Sequence, residues 1–352
     1  MAYQQGGDVT EELGVGLVGL GYWGPNYARL LDGHIDGMRL VACADLLEDR
    51  RAQVSRVHSS TAMYDDYRRM IDDGRLDAVV VATGAGSHRP IVEACLEAGL
   101  PVLVEKPIAG TSTDAESMRQ TAERTGVLLM VGHTFLFNPA VRHIKTLLDE
   151  GALGRPQYLS FRRTGLGPIR SDVNALWDLA PHDLSMLRYW LGSDPVEVTA
   201  CGQAYLRPDL EDVVFLTLRY PGGVLAGIQV SWLDPVKDRT VTVVGDQKMV
   251  VFDDVNPTEK LRVYDKGASY QPAGEEFAEF MASVRDGDII IPRVRPGEPL
   301  KEQLVHFMDC IRNGRKPISD AADGLAIVRT LEQAQAELDK TRGSSEQMAV
   351  VA

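Results

Sequence analysis

The order of apolar and polar positions divides the chain into two stretches with different periodicity. From Gly14 to about Val131, short apolar runs alternate with amphipathic segments. We predict strands at 15–18, 40–44, 78–82, 102–104 and 128–131, and helices at 25–31, 90–98 and 113–125, with partial helix over 62–71. Strands that alternate with helices indicate a parallel sheet with both faces covered.

After Pro139 the periodicity changes, and strands separated by short turns dominate. We predict helices at 140–150, 175–190, 299–313 and 321–340, and strands at 158–162, 196–205, 213–220, 224–232, 239–244, 249–253 and 261–264. Turn residues such as Pro221-Gly222-Gly223 and Gly245-Asp246 lie between neighbouring strands. Successive strands joined by short turns favour an antiparallel sheet.

Charge and cysteine usage narrow the class of protein. The chain of 352 residues has a formal charge of −13, which argues against nucleic acid as a partner, because a nucleic-acid binder needs a basic face. Its four cysteines are dispersed without a CxxC pair, so we expect reduced thiols and no metal site. The polar N-terminus lacks signal-peptide features, and no apolar run approaches the ~18 residues of a membrane span. We therefore expect a cytoplasmic protein without a membrane partner.

A glycine-rich turn follows the first predicted strand. Its sequence, Gly19-Leu20-Gly21-Tyr22-Trp23-Gly24, has G-x-G-x-x-G spacing and opens a helix, the context that dinucleotide binding requires. The first glycine makes the tight turn, the second lets backbone amides approach a pyrophosphate, and the third allows close helix packing. Asp45 lies 21 residues after Gly24 and ends the second strand, where a carboxylate binds the ribose 2′-hydroxyl. The alternative is a structural glycine turn with a solvated aspartate.

These features predict the fold class and the domain boundaries. The fold class is α/β, with an N-terminal Rossmann doubly wound parallel sheet followed by an α+β domain with a large, mostly antiparallel open sheet. We place a flexible tail at 1–12, the NAD-binding domain at 13–135, the α+β domain at 136–341 and a second flexible tail at 342–352. Asp45 would repel a 2′-phosphate and so favours NAD, while Arg50 and Arg51 nearby leave NADP as an alternative.

Two further loops leave the carboxyl edge of the predicted parallel sheet, where ligands bind in such folds. The first contains Thr83 and His88, and we expect it to flank the cofactor; His88 either caps the next helix or contacts the nicotinamide ribose. The second is Glu105-Lys106-Pro107, which directly follows a buried strand and is predicted to lie beside the nicotinamide. An ammonium there can exchange a proton with a substrate hydroxyl. The alternative is a lysine that pairs with Glu105 at a strand end.

A histidine on a predicted helix supplies the second candidate for acid–base chemistry. Asp178 and His182 are four residues apart, which places them on one face of the helix. Histidine is the usual acid–base group near neutral pH, and a carboxylate one turn away can orient it. The alternative is a structural histidine in a packed helix.

Taken together, these residues resemble the Gfo/Idh/MocA oxidoreductase family over nearly the whole chain, from Gly14 to the last helix. The resemblance rests on the glycine-rich turn, on Glu105-Lys106-Pro107, and on Asp178 with His182 one turn later. It implies that the lysine, the aspartate and the histidine line the substrate pocket in front of the nicotinamide. It also implies that the second domain binds substrate and forms the interface of a homodimer or homotetramer through its sheet.

The segments GYWGPN, GHTFLFNPAV and DVNALWDLAPHD look most like members that act at C3 of nucleotide-linked hexoses, of the UDP-N-acetylglucosamine type. That likeness implies that residues 134–142 and 170–176 shape the sugar pocket, with Asn138 and Asn174 contacting hydroxyls. A nucleotide diphosphate needs cations. The candidates are Arg162, Arg163, Arg170 and Lys237, each of which could equally be a solvated surface charge.

The leading interpretation is therefore reversible hydride transfer between nicotinamide and C3 of a nucleotide-linked hexose in amino- or deoxysugar biosynthesis. Lys106 and His182 share the proton transfer and Asp178 orients His182, and the residues leave open which of the two is the base. Three alternatives stay open: an NADP-dependent 3-ketosugar reductase, a dehydrogenase of a free sugar, cyclitol or aminoglycoside ring, and a non-catalytic sensor of NAD and sugar.

Overall fold

The computed structural model describes residues 12–271 and 281–349, which fold as two compact units. The first contains the described residues up to Gly132 together with Leu300–Leu325. The second contains the described residues of His133–Pro299 and those from Ala326 onward. The expected tail at 1–12 lies outside the described residues except for its last position, and residues 350–352 lie outside them as well.

The first unit is built on a six-stranded, fully parallel sheet in the order β3-β2-β1-β4-β5-β6. Its strands are β1 Leu13–Val18, β2 Met38–Ala44, β3 Ala62–Tyr64, β4 Ala78–Val81, β5 Val102–Glu105 and β6 Leu129–Gly132. The chain order reverses direction in the sheet at β1 and β4. This is the point at which doubly wound sheets bind ligands, outside the carboxyl ends of the strands.

Helices follow the strands of the first unit. They are α1 Gly24–Leu31, α2 Glu48–Val57, α3 Tyr67–Asp72, α4 His88–Glu97 and α5 Ser112–Thr125. The later helices of the described chain are α6 Pro139–Asp149, α7 Ala175–Leu191, α8 Pro299–Asn313 and α9 Ala321–Ala349. Residues 62–71 are partly helical as expected, since 67–71 belong to α3, but 62–64 form the short edge strand β3, which was not predicted. The sequence pattern did not predict α2, which buries only Val54 and so lacks an apolar stripe.

The second unit is built on an eight-stranded sheet in the order β14-β13-β12-β11-β7-β10-β9-β8. Its strands are β7 Pro156–Thr164, β8 Glu197–Gln203, β9 Val213–Arg219, β10 Leu225–Ser231, β11 Asp238–Gly245, β12 Met249–Asp253, β13 Leu261–Gln271 and β14 Met281–Ile290. All neighbours are antiparallel except β7 and β10, which are parallel. The predicted fold class is therefore confirmed.

One face of this sheet packs against α7 and the other is exposed. On β7, Leu159, Phe161 and Arg163 are buried, while Ser160 and Arg162 between them are exposed, as is Tyr158 before them. Because successive side chains of a strand point to opposite faces, the buried set faces α7 and the exposed set faces away from it. The edge strand β14 was not predicted, because its described side chains from Val284 onward are exposed and give no alternating apolar pattern.

Helix α8 belongs to the first unit, although the sequence pattern placed it in the second domain. Gln303 on α8 donates from Nε2 to the hydroxyl of Tyr27 on α1 at 3.0 Å, and Arg312 donates to the carbonyl of Gly37 at 3.1 Å. Beyond the helix, Ser319 donates to the carbonyl of Val131 at the end of the parallel sheet. These contacts span up to 276 positions of the chain, so no local pattern signals them.

The expected C-terminal tail at 342–352 also differs from the structure. Helix α9 continues to Ala349. Arg342 forms ion pairs with Asp209 and with the buried Glu211, which tie this part of the helix to the second unit. Among the described residues, no helix has the combination of length and apolar character that crossing a membrane requires.

Candidate active site

The glycine-rich turn follows β1 and is shaped by two close contacts. Gly19 has a φ of +95°, and an added Cβ there would lie 2.7 Å from Thr83 Cγ2. An added Cβ at Gly24 would lie 2.4 Å from the carbonyl oxygen of Gly19, so only glycine lets α1 start this close to the turn. At Gly21 the position is open: of the described residues, the Arg50 guanidinium is the one group within 4 Å of an added Cβ. The turn therefore offers an uncovered backbone surface at a helix N-terminus, which fits a dinucleotide pyrophosphate.

Asp45 follows β2 and holds this turn from the side. Its Oδ2 accepts from the backbone amide of Leu20 at 2.8 Å, and its Oδ1 accepts from that of Leu47 at 2.8 Å. The side chain is 6% exposed and lies 3.5 Å from the Arg50 guanidinium. The carboxylate predicted to bind the ribose thus also fixes the shape of the glycine-rich turn, and Arg50 supplies a cation beside it.

Two aromatic residues project from the glycine-rich turn. Tyr22 and Trp23 form an edge-to-face pair with ring centroids 5.9 Å apart. Tyr22 is 82% exposed, and Trp23 is also exposed. Both remain predicted cofactor contacts, because an exposed aromatic beside a nucleotide-type turn can cover a ligand that binds there.

The Thr83–His88 loop leaves β4, next to β1 in the sheet. His88 is fully buried; its Nε2 lies 3.1 Å from the carbonyl oxygen of Thr83 and its Nδ1 lies 3.0 Å from that of Ile108. Burial is the main cause that lowers the pKa of this imidazole, against the raising effect of the backbone carbonyls. Because backbone groups occupy both ring nitrogens, the expectation of a helix cap or a ribose contact at His88 gives way to a loop-bridging role.

Glu105 ends β5 and is enclosed in the first unit. Its Oε1 accepts from the hydroxyl of Tyr27 at 2.7 Å, its Oε2 accepts from the backbone amide of Lys106 at 3.0 Å, and Gln303 donates to Tyr27. Burial is the largest influence and raises the pKa of Glu105, while Tyr27 and Lys106 act in the opposite direction. The carboxylate expected to contact the cofactor is therefore a support for the segment that carries Lys106.

Lys106 itself is half-buried at the carboxyl edge of the parallel sheet. It follows β5, whose neighbours are β4 and β6, and a cis bond joins it to Pro107. The carboxyl ends of parallel strands meet at one edge, so Lys106, Thr83 and the glycine-rich turn share that edge of the first unit.

The second half of the predicted site lies on α7. The ring of Phe135 contacts the imidazole of His182 at a centroid distance of 5.0 Å, and the guanidinium of Arg163, which is on β7, lies 4.3 Å from the centroid of the Phe135 ring. Arg163 donates to Asp183 through Nη2 at 2.7 Å and through Nε at 3.1 Å. The side chains of this pair are only 5% and 2% exposed. Arg163 therefore anchors the residue after His182, which leaves it no donor surface for a diphosphate.

Asp178, one helical turn before His182, contacts two other side chains. Its Oδ2 accepts from the indole of Trp232 at 3.2 Å, and its Oδ1 lies 3.5 Å from the guanidinium of Arg170. Arg170 also pairs with Asp172 at 2.6 Å. The orienting role toward His182 stays a prediction.

The two asparagines predicted to bind sugar hydroxyls are both helix N-caps. Asn138 Oδ1 accepts from the amide of Ala140, and its Nδ2 donates to Asp254. Asn174 Oδ1 accepts from the amide of Trp177, and its Nδ2 donates to Glu211 and Gln335. Both asparagines are buried, so the structure uses these amides for capping and packing instead of presenting them to a ligand.

Sequence reasoning missed three residues that hold the predicted site residues in place. Tyr27 and Gln303 lie in the first unit and Asp183 lies in the second. A buried tyrosine needs a partner for its hydroxyl, so the position of Tyr27 on the packed face of α1 was a usable signal. The other two depend on contacts between distant segments, which leave no local pattern.

Comparison with known proteins places this geometry in a family. A family profile described as an oxidoreductase family with NAD-binding Rossmann fold matches residues 13–133, and one described as a GFO/IDH/MocA C-terminal domain matches 141–251. Inositol 2-dehydrogenase 2 of Saccharopolyspora erythraea is 33% identical over 224 residues, 62% of this chain and 66% of that protein. The scyllo-inositol 2-dehydrogenase (NAD(+)) of Bacillus subtilis is 26% identical over 86% of this chain and 87% of that protein.

A solved structure extends the likeness in fold. The UDP-N-acetylglucosamine 3-dehydrogenase GnnA from Acidithiobacillus ferrooxidans superposes with a TM-score of 0.78 at 21% identity, over 94% of this chain and 98% of that one. With both family profiles matched, and with a glycine-rich turn and carboxylate that fit NAD, the chain belongs to the Gfo/Idh/MocA family of NAD-dependent oxidoreductases.

Proposed function

We propose that this protein oxidises, reversibly, a secondary alcohol of a free cyclitol or sugar with NAD⁺ as the hydride acceptor. The observation that carries the proposal is the position of Lys106, directly after β5 at the edge where the glycine-rich turn also lies. NAD⁺, when bound, supplies the acceptor for the hydride that leaves the alcohol carbon. The protein must then take the hydroxyl proton, which is the task we assign to Lys106 and His182.

The cofactor half of the proposal assigns binding to named residues. The backbone at Gly21 and the start of α1 hold the pyrophosphate, and Asp45 receives the ribose hydroxyl. Asp45 disfavours a 2′-phosphate, whereas Arg50, whose side chain is 47% exposed, is the residue that would tolerate one.

The charges of the second unit favour a substrate without a diphosphate. Arg163 is buried against Asp183. Arg162 pairs with Asp234 and Asp238 and lies on the sheet face turned away from α7 and His182. Two of the cations expected to hold a nucleotide are thus committed elsewhere, which agrees with the free polyols named for the inositol dehydrogenase relatives.

A nucleotide-linked hexose oxidised at C3 is the second candidate, and Arg170 is the observation that favours it. This guanidinium reaches Asp178 and keeps 43% of its side chain exposed, so a diphosphate could recruit it. Its partner Asp172 is also exposed, so this ion pair contributes little free energy, and a diphosphate could replace the Asp172 carboxylate at Arg170 at small cost.

A substrate panel tests these alternatives. We expect NADH formation with NAD⁺ and an inositol or a free sugar, weak turnover with NADP⁺, and little change in the Arg170→Ala variant. Turnover restricted to UDP-, dTDP- or GDP-hexoses, and lost in Arg170→Ala, would establish the second candidate instead. Ligand binding without cofactor reduction across the whole panel would contradict catalysis and support a sensor.

The exposed sheet face supports a homodimer or homotetramer. Tyr158, Leu225 and Arg219 lie side by side on β7, β10 and β9, and all three are exposed. Phe215 extends the apolar part of this face and is 48% exposed. Large exposed apolar patches mark interaction sites. Light scattering should give a multiple of the chain mass, and Tyr158→Glu should lower it; a monomeric wild-type protein would contradict the proposal.

A further inference from the structure

Lys106 lies between two residues that the first unit holds from different directions. Glu105 before it is bound by Tyr27, and Ile108 after it is 1% exposed. The side chain of Ile108 packs against Gly324, where an added Cβ would lie 3.0 Å from Ile108 Cγ2. The backbone path through Lys106 is therefore set by what holds these flanking positions.

His88 is the group that holds the backbone on the Ile108 side. Its fully buried imidazole stands between the carbonyl of Ile108, at 3.0 Å from Nδ1, and the carbonyl of Thr83, at 3.1 Å from Nε2. The ring thus links the segment after β5 to the loop after β4, and both leave the edge of the sheet where NAD binds.

We propose that His88 is a positioning residue for Lys106, acting through the carbonyl of Ile108. This inference rests on the proposed function of Lys106. It assigns to His88 no contact with cofactor or substrate.

The chemistry of the ring makes the two links unequal. A neutral imidazole carries one N–H and can donate to only one of the two carbonyls, whereas both receive a hydrogen bond only from the protonated ring. Burial lowers the pKa of His88, which favours the neutral ring. The bond that matters for Lys106 is the one from Nδ1, because Ile108 is two residues beyond the lysine and Thr83 is on another strand end.

Three substitutions separate the two links. Asparagine places its amide nitrogen close to the position of Nδ1, glutamine places it close to Nε2, and leucine removes both donors at similar volume. We expect His88→Leu to lower kcat about 10²-fold with KM nearly unchanged, since a displacement of about 1 Å at a reacting group has this cost. His88→Asn should recover most of the kcat, and His88→Gln should not.

A second measurement uses the cofactor-free protein. Hydrogen–deuterium exchange of the peptide covering residues 105–110 should be faster in the Leu and Gln variants than in wild type and in the Asn variant. Val92→Ala is the matched control, because Val92 is fully buried one turn later on α4 and contacts neither carbonyl in the described hydrogen bonds. The Val92→Ala variant should be less stable than wild type, but its kcat and its hydrogen–deuterium exchange over residues 105–110 should stay close to those of wild type.

The outcomes distinguish this inference from the proposed function. The positioning role would be overturned if kcat were equal in all three His88 variants, or if glutamine restored kcat better than asparagine. Hydrogen–deuterium exchange over residues 105–110 that is the same in every variant as in wild type would overturn it as well. A wild-type protein without turnover on any alcohol would instead overturn the proposed function, and the exchange experiment would still decide whether His88 holds the Ile108 segment.

Discussion

Replacing Lys106 with methionine should lower kcat at least ~10²-fold, which is the usual effect of losing a group that exchanges a proton with the substrate. Methionine keeps the length and the apolar stem of the side chain and removes only the ammonium. NADH affinity should stay within about threefold of wild type, because the glycine-rich turn and Asp45 are untouched. Steady-state kinetics with the best alcohol, together with NADH fluorescence titration, measure both quantities.

Lys316→Met is the control for the Lys106 variant. Lys316 also lies in the first unit, and it pairs with Asp320 while its side chain is 79% exposed. This change should leave kcat unaltered. A Lys106→Met enzyme with near-wild-type kcat would remove the lysine from the mechanism and leave His182 as the remaining candidate base.

Replacing Arg163 with methionine should lower the free energy of unfolding by about 3–5 kcal/mol, because it leaves Asp183 as an unpaired buried carboxylate. The Asp183 side chain is 2% exposed and receives three contacts from Arg163. Removing both partners, in Arg163→Met with Asp183→Leu, should recover much of the loss, since an apolar pair of similar volume needs no counter-ion. Urea unfolding of the single and double variants measures this.

Arg162→Met is the matched control, one residue earlier on β7. Arg162 is 49% exposed and its ion pairs are 3.4 and 3.5 Å long, so its loss should change the free energy of unfolding by less than about 1 kcal/mol. If the two single variants were equally stable, the buried pair would not be a major determinant of the second unit.

The loss in the free energy of unfolding caused by Arg163→Met should depend on pH. Burial is the largest influence on Asp183 and raises its pKa, while Arg163 and Arg239 oppose that rise. Without Arg163, the pKa of Asp183 in the folded protein rises further above its ordinary value of 3.8. When the pKa of a carboxyl is higher in the folded state than in the unfolded state, its contribution to stability is fully present below the unfolded-state pKa. That contribution is lost as pH rises through the folded-state pKa. The variant should therefore be least impaired in acid and most impaired at neutral and higher pH.

Local pattern was sufficient to predict most strands of the parallel sheet and most strands of the antiparallel one. Apolar runs such as Ala78–Val81 are buried on both faces, so each reads as a strand without reference to its neighbours. The short strand Ala62–Tyr64 and the edge strand Met281–Ile290 were missed because half-exposed edges carry a weak apolar signal. The placement of Pro299–Asn313 with the first unit depended on contacts from the far end of the chain.

By itself, the sequence determined the glycine-rich turn and the carboxylate of Asp45 beside it, and it predicted Lys106 and His182 as the proton-transfer residues, because identity and spacing are enough to indicate both. Only the tertiary structure decided which polar side chains are engaged inside the protein. Asn174 caps a helix, Arg163 neutralises Asp183, and His88 bridges two loops. The physical reason is that a buried polar group must be paired, and its partner comes from whichever distant segment folding brings beside it.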